Sequence, residues 1–193
     1  MVSHRLLFDQ KSGSMTKKKE LFIVEGKSAE STLQQATSDS DHSILAIQGK
    51  LINVAKAMSA KVYANTECSN IFQTLACGVG EDCKPELLNY SRIVILTDPD
   101  IDGSHTRALV LSLFDQYLRP LVDAGLVSII IPPLYRIIGQ EKGQVHYAWN
   151  EQERVLQIDH SAITRFKGIA QFSLEECDHL FLNPQTRRQI TLS

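Results

Sequence analysis

The sequence lacks several features that would assign it to a specialised class of protein. None of its 193 residues lies in an apolar run long enough to cross a membrane, and residues 5–8 are too short to be the apolar part of a signal peptide. The four cysteines form no CxxC pair, which disfavours both a zinc site and a disulfide framework. No glycine-rich phosphate loop of the P-loop type occurs. These absences predict a cytoplasmic protein with reduced thiols.

A surplus of basic residues is also missing. The 20 Lys and Arg residues and 22 Asp and Glu residues give a net charge of -2, with a pI near 6.3. Composition therefore does not indicate a nucleic-acid-binding protein, and any such function must depend on a local site. The hydrophobic content of 43% is ordinary for a globular chain that is long enough to bury a core.

Four short apolar runs, each closed by turn or helix signals, predict four buried strands. The runs occupy residues 21–24, 44–47, 93–97 and 126–131. Helical spacing lies between them in residues 51–58, 71–76 and 106–118, and Pro120 is expected to begin another short helix. This alternation predicts an α/β fold with a mostly parallel, four-stranded sheet and helices on both faces.

The regions at either end of this pattern carry weaker signals. Residues 1–17 are polar and are expected to form a flexible lead-in, residues 18–137 the main domain, and residues 138–193 a smaller C-terminal tail. Within the tail, residues 144–149 are expected to form an edge strand and residues 174–182 a helix.

Acidic residues follow two of the predicted strands. Glu25 ends the first strand, and Asp98, Asp100 and Asp102 follow the third. Because the carboxyl ends of parallel strands share one edge of a sheet, these side chains are expected to converge there. Crowded carboxylates repel one another unless a cation lies among them, and an all-oxygen set favours Mg²⁺, with Mn²⁺ or Ca²⁺ as substitutes. The sequence therefore predicts a magnesium site.

Three alternatives fit parts of this acidic segment. The aspartates could simply cap a helix, although three acids exceed what capping requires. An EF-hand loop would need a glutamate at its twelfth position, which Leu109 occupies, and a helix before Asp98, where the pattern predicts a strand. A receiver domain would need paired acids at the end of the first strand, where this chain has Glu25, Gly26 and Lys27.

Two motifs resemble a known family. Residues 20–30, ELFIVEGKSAE, and residues 98–107, DPDIDGSHTR, are similar to the two signatures of the Toprim region in type IIA DNA topoisomerase B subunits, the DNA gyrase and topoisomerase IV family. Further segments resemble that family in the same order: residues 47–54, 75–80, 132–136, 165–169 and 183–188. The resemblance therefore covers residues 18 to about 192.

The resemblance implies a Toprim, or Rossmann-like, fold and a magnesium-dependent module for DNA cleavage and religation in an isomerase. It implies that Glu25, Asp98 and Asp100 hold Mg²⁺, with Asp98 shared between two metal positions. Asp102 would complete this set of metal-binding residues close to the ion. Glu25 would also serve as general acid or base, since a carboxylate whose pKa is tuned by its neighbours suits that role.

The resemblance also assigns residues outside the acidic segment. It implies that Lys50 and Asn53 contact double-stranded DNA, where a cation near a phosphate is electrostatically favourable. It further places His105 and Arg107 where the family helix begins, facing the site, whereas the sequence alone marks either as an ordinary residue at the start of a helix.

The chain departs from the family pattern at three places. Lys27 stands where the family usually has aspartate, and Gln48 where it usually has a basic residue. The late motif, usually Lys-Gly-Leu-Gly-Glu, here ends in Gln171 and has lost its second glycine. These changes rearrange charge near the predicted site, but none removes a proposed metal ligand.

The chemistry implied by the resemblance needs partners. The nucleophilic tyrosine is expected on a separate A subunit, because none of the five tyrosines lies in a family-like tyrosine motif. ATP would act only through the ATPase region that precedes Toprim in the family and that these residues lack. Two other hypotheses remain open: a non-catalytic interaction domain derived from Toprim, and a self-sufficient Toprim nuclease or primase-like enzyme.

Overall fold

The computed structural model describes residues 6–8, 15–17, 19–37, 42–141, 143–156 and 160–193. Its strands are β1 (Leu6–Phe8), β2 (Met15–Lys17), β3 (Glu20–Glu25), β4 (His42–Ile47), β5 (Arg92–Leu96), β6 (Val127–Ile130), β7 (Tyr135–Gly139), β8 (Val145–Ala148), β9 (His160–Arg165) and β10 (Gln189–Thr191). Its α-helices are α1 (Gly26–Ala36), α2 (Ser59–Ala64), α3 (Thr66–Leu75), α4 (Ile101–Tyr117), α5 (Arg119–Asp123), α6 (Glu151–Val155) and α7 (Leu174–Cys177). Together they form the α/β architecture predicted from the sequence.

The central sheet has five strands in the order β10, β6, β5, β3, β4. The four strands predicted from apolar runs are present and parallel to one another. The sequence did not predict β10, which pairs antiparallel to β6 with Ile190 opposite Ile129. Only Ile190 is apolar in this three-residue strand, so no apolar run marked it.

Both faces of the central sheet are covered. In β3, Leu21 and Ile23 pack into one core cluster, and Phe22 and Val24 pack into the other. Alternating side chains along a strand point to opposite faces, so a continuous apolar run is what a doubly covered strand requires. All four of these side chains are buried.

Helices α2 to α5 cover the first face. Val62 of α2, Ile71 of α3, Val110 and Phe114 of α4, and Leu121 of α5 join the same buried cluster as Leu21 and Ile23. The start of α5 agrees with the prediction from Pro120, because proline fits the first turn of a helix.

The second face is covered by α1 and by residues that follow the predicted domain boundary at residue 137. Leu33 of α1 joins Phe166, Phe172 and Phe181 around Phe22 and Val24. The rings of Phe166 and Phe172 are stacked with centroids 3.8 Å apart. The division of the chain at residue 137 stays a prediction, but residues beyond it supply much of the core on this face.

A three-stranded antiparallel sheet is formed by the residues between β6 and β10. Its strand order is β8, β7, β9, so the predicted edge strand in residues 144–149 is confirmed as β8. The predicted helix in residues 174–182 is also confirmed, as α7 followed by a π-helical turn at Asp178–Leu182.

One predicted helix was wrong. The segment 51–58 is irregular, with single turns closed by Lys56 N–H to Asn53 C=O and Ala57 N–H to Val54 C=O. The apolar residues of this segment do not share a face: Val54 is buried, whereas Met58 is 68% exposed. Helical spacing of apolar residues indicates a helix only when those residues are buried together.

The predicted lead-in falls partly outside the described residues, which include only 6–8 and 15–17 of it. Those two stretches pair as an antiparallel ladder with Leu6 opposite Lys17. Among the described residues, no helix has the length and apolar character needed to span a membrane.

An ion pair joins the end of the chain to the beginning of the central sheet. The guanidinium of Arg187 donates to both carboxylate oxygens of Glu20 at 2.7 Å, and its side chain is 1% exposed. It also donates to the carbonyls of Phe181 and Leu182 at 3.5 and 3.3 Å. This contact fixes the last segment against β3.

Candidate functional site

The carboxyl ends of β3 and β5 place the predicted acidic residues at one edge of the central sheet. These strands are parallel neighbours, with Val24 opposite Leu96. Glu25 is the last residue of β3, and Asp98 comes two residues after the end of β5. This is the edge at which ligands bind in open α/β sheets.

Helix α4 begins directly after this edge, five residues earlier than predicted. The side chain of Asp100 caps it by accepting a hydrogen bond from the N–H of Gly103 at 2.8 Å. A side chain at position 103 would collide with the backbone of Asp98, since an added Cβ would lie 2.2 Å from its carbonyl oxygen. Asp100 therefore does cap a helix, as one alternative proposed, and Gly103 allows the turn to fold tightly.

Glu25 has a carboxylate of which only one oxygen is hydrogen-bonded. Its Oε1 accepts a hydrogen bond from the hydroxyl of Thr106 at 3.1 Å, whereas its Oε2 is buried and has no hydrogen-bond partner. Burial raises the pKa of Glu25, and the negative charges of Asp98, Asp100 and Asp102 raise it further, against the lowering effect of Thr106. A buried carboxylate oxygen without a donor is costly unless a cation or proton compensates it.

Asp98 is held by a residue from far along the chain. Its Oδ1 accepts a hydrogen bond from the backbone N–H of Ile169 at 2.8 Å. Burial raises the pKa of Asp98, the Ile169 hydrogen bond lowers it, and the charge of Asp100 raises it. The late motif therefore lies against the acidic edge, and its departure at Gln171 leaves that contact in place.

Three titratable residues at the start of α4 differ in exposure. His105 and Asp102 are exposed. Arg107 is half-buried and donates to the hydroxyls of Thr97 and Ser104, both at 3.4 Å. Burial lowers the pKa of Arg107. Its contact with Thr97 brings a positive charge to the end of β5, beside the acidic residues.

The carboxylates repel one another but do not form a closed ligand cage. Within the residues that the structure describes, no group of three His, Cys, Asp or Glu side chains is arranged to hold a metal ion. The atoms that the acidic residues offer to a metal ion are all oxygens, and Glu25 Oε2 has no hydrogen-bond partner. That donor set suits a hard cation such as Mg²⁺, which keeps part of its water shell and needs few protein ligands. The predicted ligand set stays a prediction.

Lys50 and Asn53, the predicted DNA contacts, are both exposed in the irregular segment after β4. The loop that carries Lys50 is fixed by Glu67 at the start of α3. This buried carboxylate accepts hydrogen bonds from the N–H groups of Gln48 and Gly49, at 3.2 and 2.9 Å. Asn65 adds a hydrogen bond to the carbonyl of Lys50 at 3.3 Å.

Glu67 was not predicted from the sequence. An acidic residue in the first turn of a helix is common, so its identity alone signals nothing unusual. The available hint was its position directly before Cys68 and close to Ile71, on the side of α3 that faces the core. The two departures Lys27 and Gln48 are both exposed, and Gln48 uses its backbone rather than its side chain in the Glu67 contact.

The cysteines agree with the prediction of reduced thiols. Cys68, Cys77, Cys83 and Cys177 are free and buried. Burial raises the pKa of Cys83 to about 12, with a further contribution from Cys77. Such thiols are poor nucleophiles and poor metal ligands.

The profile of the Toprim domain matches residues 20–130. The chain belongs to the Toprim family. The match includes β3, the loop with Lys50, and the acidic segment at the start of α4, so the acidic edge described above lies inside the Toprim domain. The confirmed fold and the sequence resemblance therefore agree.

Longer proteins contain similar Toprim regions. The chain is 39% identical over 188 residues to the DNA gyrase B subunit of Thermotoga maritima, covering 94% of this chain and 29% of that protein. It is 38% identical over 184 residues to the DNA gyrase B subunit of Archaeoglobus fulgidus, covering 94% and 29%. It is 39% identical over 184 residues to the DNA topoisomerase 4 B subunit of Staphylococcus aureus, covering 91% and 27%.

These proteins are homologous B subunits of topoisomerases. The chain spans less than a third of the length of the curated relatives that it matches. Their similarity extends beyond residue 130, since more than nine-tenths of this Toprim chain is aligned. The residues that cover the second face of the sheet are therefore part of the shared region.

The crowding of acids predicts a measurable stability effect. Without divalent cations, Glu25→Gln is expected to raise the melting temperature by a few degrees at pH 7, because the amide keeps an acceptor for Thr106 and removes a buried charge. The folded-state pKa lies above the ordinary 4.5, so the ionised form costs stability above the folded-state pKa. The gain should vanish below pH 4.5, where wild type is protonated.

Thermal melts with a chelator at both pH values test this expectation. Glu30→Gln serves as a charge-matched control, because Glu30 lies on α1, the helix that begins directly after Glu25. This substitution should leave the melting temperature unchanged. A lower melting temperature for Glu25→Gln at pH 7 would contradict the repulsion argument.

Proposed function

We propose that this Toprim chain is the magnesium-dependent module for DNA cleavage and religation of a type IIA topoisomerase. The observation that carries the proposal is the acidic sheet edge, where Glu25 presents a buried and unpartnered oxygen beside Asp98. The kinship with gyrase and topoisomerase IV B subunits supports the same assignment.

Glu25, Asp98 and Asp100 would hold Mg²⁺, with Asp102 nearby on the exposed side. A magnesium ion bound there would stabilise negative charge on the oxygens of a phosphodiester during exchange. Mn²⁺ or Ca²⁺ could substitute for it, since both accept carboxylate ligands. The oxygen ligands of this edge are consistent with each of these ions.

The surroundings of Glu25 support a role in proton transfer. In the exchange, the tyrosine hydroxyl gives up its proton as its oxygen bonds to phosphorus, the bond from phosphorus to the 3′ oxygen of the DNA breaks, and that 3′ oxygen takes up a proton. In the metal-free chain, burial and neighbouring negative charges raise the pKa of Glu25 above its ordinary value, towards the range in which a carboxyl group exchanges protons near neutral pH. The hydrogen bond from Thr106 to Oε1 orients the carboxyl group and leaves Oε2 available.

DNA binding would depend on local positive charge, because the chain as a whole is slightly acidic. Lys50 and Asn53 are exposed on a loop anchored by Glu67, so they would meet a phosphate at a fixed position. An anchored cation loses less conformational freedom on binding than one on a loose loop.

The proposal requires partners that complete the reaction. An A subunit would supply the tyrosine, and an ATPase region would couple ATP to strand passage. Double-stranded DNA would be the substrate, and the assembled enzyme would be an isomerase of the cytoplasm. The chain alone would neither cut nor relax DNA, since cation ligands without a nucleophile cannot begin the exchange.

Metal titration tests the proposed site directly. Wild type is expected to bind Mg²⁺ or Mn²⁺ weakly at one site in isothermal titration calorimetry, and Asp98→Asn combined with Asp100→Asn should abolish the binding heat. Asparagine at position 100 still offers an oxygen to cap α4, so the double variant is expected to fold.

The matched control is Asp115→Asn with Asp123→Asn, which changes two exposed acids paired with Arg119. It should bind metal as wild type does. Unchanged binding by the Asp98 and Asp100 double variant would refute the site. A wild-type chain that binds no divalent ion would instead favour the non-catalytic interaction domain. That alternative has structural support, because the described residues contain no closed group of metal ligands.

A further inference from the structure

The segment that follows β9 forms a turn whose backbone is held by one side chain. Gln171 Oε1 accepts hydrogen bonds from the N–H groups of Lys167 and Gly168, at 2.5 and 3.3 Å. Residues Ile169–Gln171 complete a short 3₁₀ turn. Phe166 and Phe172, on either side of the turn, are buried and stacked, so both of its ends are anchored in the core.

This turn lies directly against the carboxylate of Asp98. The N–H of Ile169 donates to Asp98 Oδ1 at 2.8 Å, a link between residues 71 positions apart. Gly168 fits closely beside it, since a Cβ at that position would lie 3.3 Å from Asp98 Oδ2 and 3.4 Å from Oδ1. Any side chain at position 168 would therefore press on both oxygens.

We propose that Gln171, Gly168 and Ile169 are positioning residues for Asp98, so the turn after β9 is part of the cation site. The inference rests on the proposed function and deepens it, because it adds to the site a segment outside the residues matched as Toprim. Gln171 sets the turn, the turn aims the Ile169 N–H, and that N–H fixes Oδ1 so that Oδ2 is left for a cation.

The same geometry explains why this positioning comes from backbone rather than from a charged side chain. A backbone N–H satisfies one oxygen of Asp98 without introducing a positive charge that would compete with a cation. Gln171 supplies its acceptor oxygen without adding another negative charge to the acidic edge. Glutamate at position 171 would offer the same acceptor atoms.

The decisive comparison is between Gln171→Leu and Gln171→Glu in the full 193-residue chain. Leucine removes the acceptor for Lys167 and Gly168, and glutamate keeps it. Mn²⁺ and Mg²⁺ affinities are measured by calorimetry, and folding by circular dichroism and thermal melting. Loss of groups that support a ligand typically weakens metal affinity by about 10-fold to 100-fold, so Gln171→Leu should weaken binding by about 10-fold or more.

Two further variants complete the design. Gln185→Leu removes an exposed glutamine of the same C-terminal region and should bind metal as wild type does. Gly168→Ala leaves Gln171 intact but crowds Asp98, so it should weaken binding even if Gln171→Leu fails to fold. Retained binding in Gln171→Glu would separate positioning from a general structural role.

The outcomes distinguish this inference from the proposed function. Wild-type affinity in a folded Gln171→Leu or in Gly168→Ala, with binding lost in Asp98→Asn, would overturn the positioning role and leave the site standing. Unchanged affinity in Asp98→Asn combined with Asp100→Asn would overturn the site itself, and the positioning role with it.

Discussion

Replacing Arg187 by alanine is expected to destabilise the chain by about 3 kcal/mol, near the lower end of the cost of breaking a buried ion pair. Arg187 is 1% exposed and meets Glu20 through two hydrogen bonds of 2.7 Å. Its loss leaves a largely buried carboxylate without its bidentate partner and removes donors from two carbonyls near the chain end. The remaining groups near Glu20 should limit the cost, since Arg92 and His42 lie 3.8 and 3.7 Å away.

Arg188→Ala is the matched control for this prediction. Arg188 is exposed and stacks on Trp149 with its guanidinium 4.0 Å from the ring centroid. An exposed contact of this kind is worth about 0.5–1 kcal/mol. Urea unfolding followed by circular dichroism measures both variants, and equal losses of unfolding free energy would show that the Glu20 pair does not anchor the last segment.

The Arg187 contact belongs to a part of the fold that the sequence did not predict. The strands β3 to β6 were predictable because a strand covered on both faces needs a continuous apolar run, as residues 93–97 show. Strand β10 was not, because it is held by pairing with β6 and by the anchoring of Arg187 rather than by its own composition. Short edge strands depend on partners that lie far away in the chain.

The residues that pack on the two faces of the central sheet also differ in how far the sequence predicts them. The helix α3 was predictable from the local spacing of Ile71 and Leu75. Phe166 and Phe172 lie in segments without a strong period, and the pattern that predicted a helix around Phe181 does not show what that helix packs against. Their joint packing on Phe22 could therefore not be read from local patterns. The segment 51–58 shows the opposite case, in which local spacing was present and burial did not follow it.

The candidate site combines side chains that the sequence identifies with backbone contacts that it does not. Glu25 and Asp98 were placed correctly at one edge because parallel strands end together. The Ile169 donor to Asp98 and the Gln48 and Gly49 donors to Glu67 are backbone groups, which every residue except proline carries. Sequence therefore predicted the chemical groups of the edge and missed the backbone that positions them.

The carboxylates of the acidic edge lower the stability of the metal-free fold, although the proposed function needs them. Burial and mutual repulsion raise the pKa of both Glu25 and Asp98, so their ionised forms cost stability when no cation is present. Residues that reduce fold stability without an evident structural benefit are expected at functional sites. The same substitution at Glu25 that stabilises the metal-free chain should therefore impair the reaction.

In the complex reconstituted with an A subunit and an ATPase region, Glu25→Gln is expected to reduce DNA cleavage and religation together by about 100-fold or more, the usual contribution of a general acid or base. The two steps are the forward and reverse directions of one exchange, so a group that moves the proton in one direction moves it in the other. Glutamine keeps the Thr106 hydrogen bond but cannot exchange a proton at Oε2.

The rate of cleavage-complex formation measures the forward direction, and the rate of resealing after salt addition measures the reverse direction. Glu30→Gln again serves as the control, because it changes an acid on α1 outside the acidic edge. A loss of cleavage with normal resealing would contradict a shared acid and base, since microscopic reversibility requires both to fall. Strong Mg²⁺-dependent nicking by the purified chain alone, abolished by Glu25→Gln, would instead identify a self-sufficient nuclease, because the nucleophile would then have to be water or a residue of this chain.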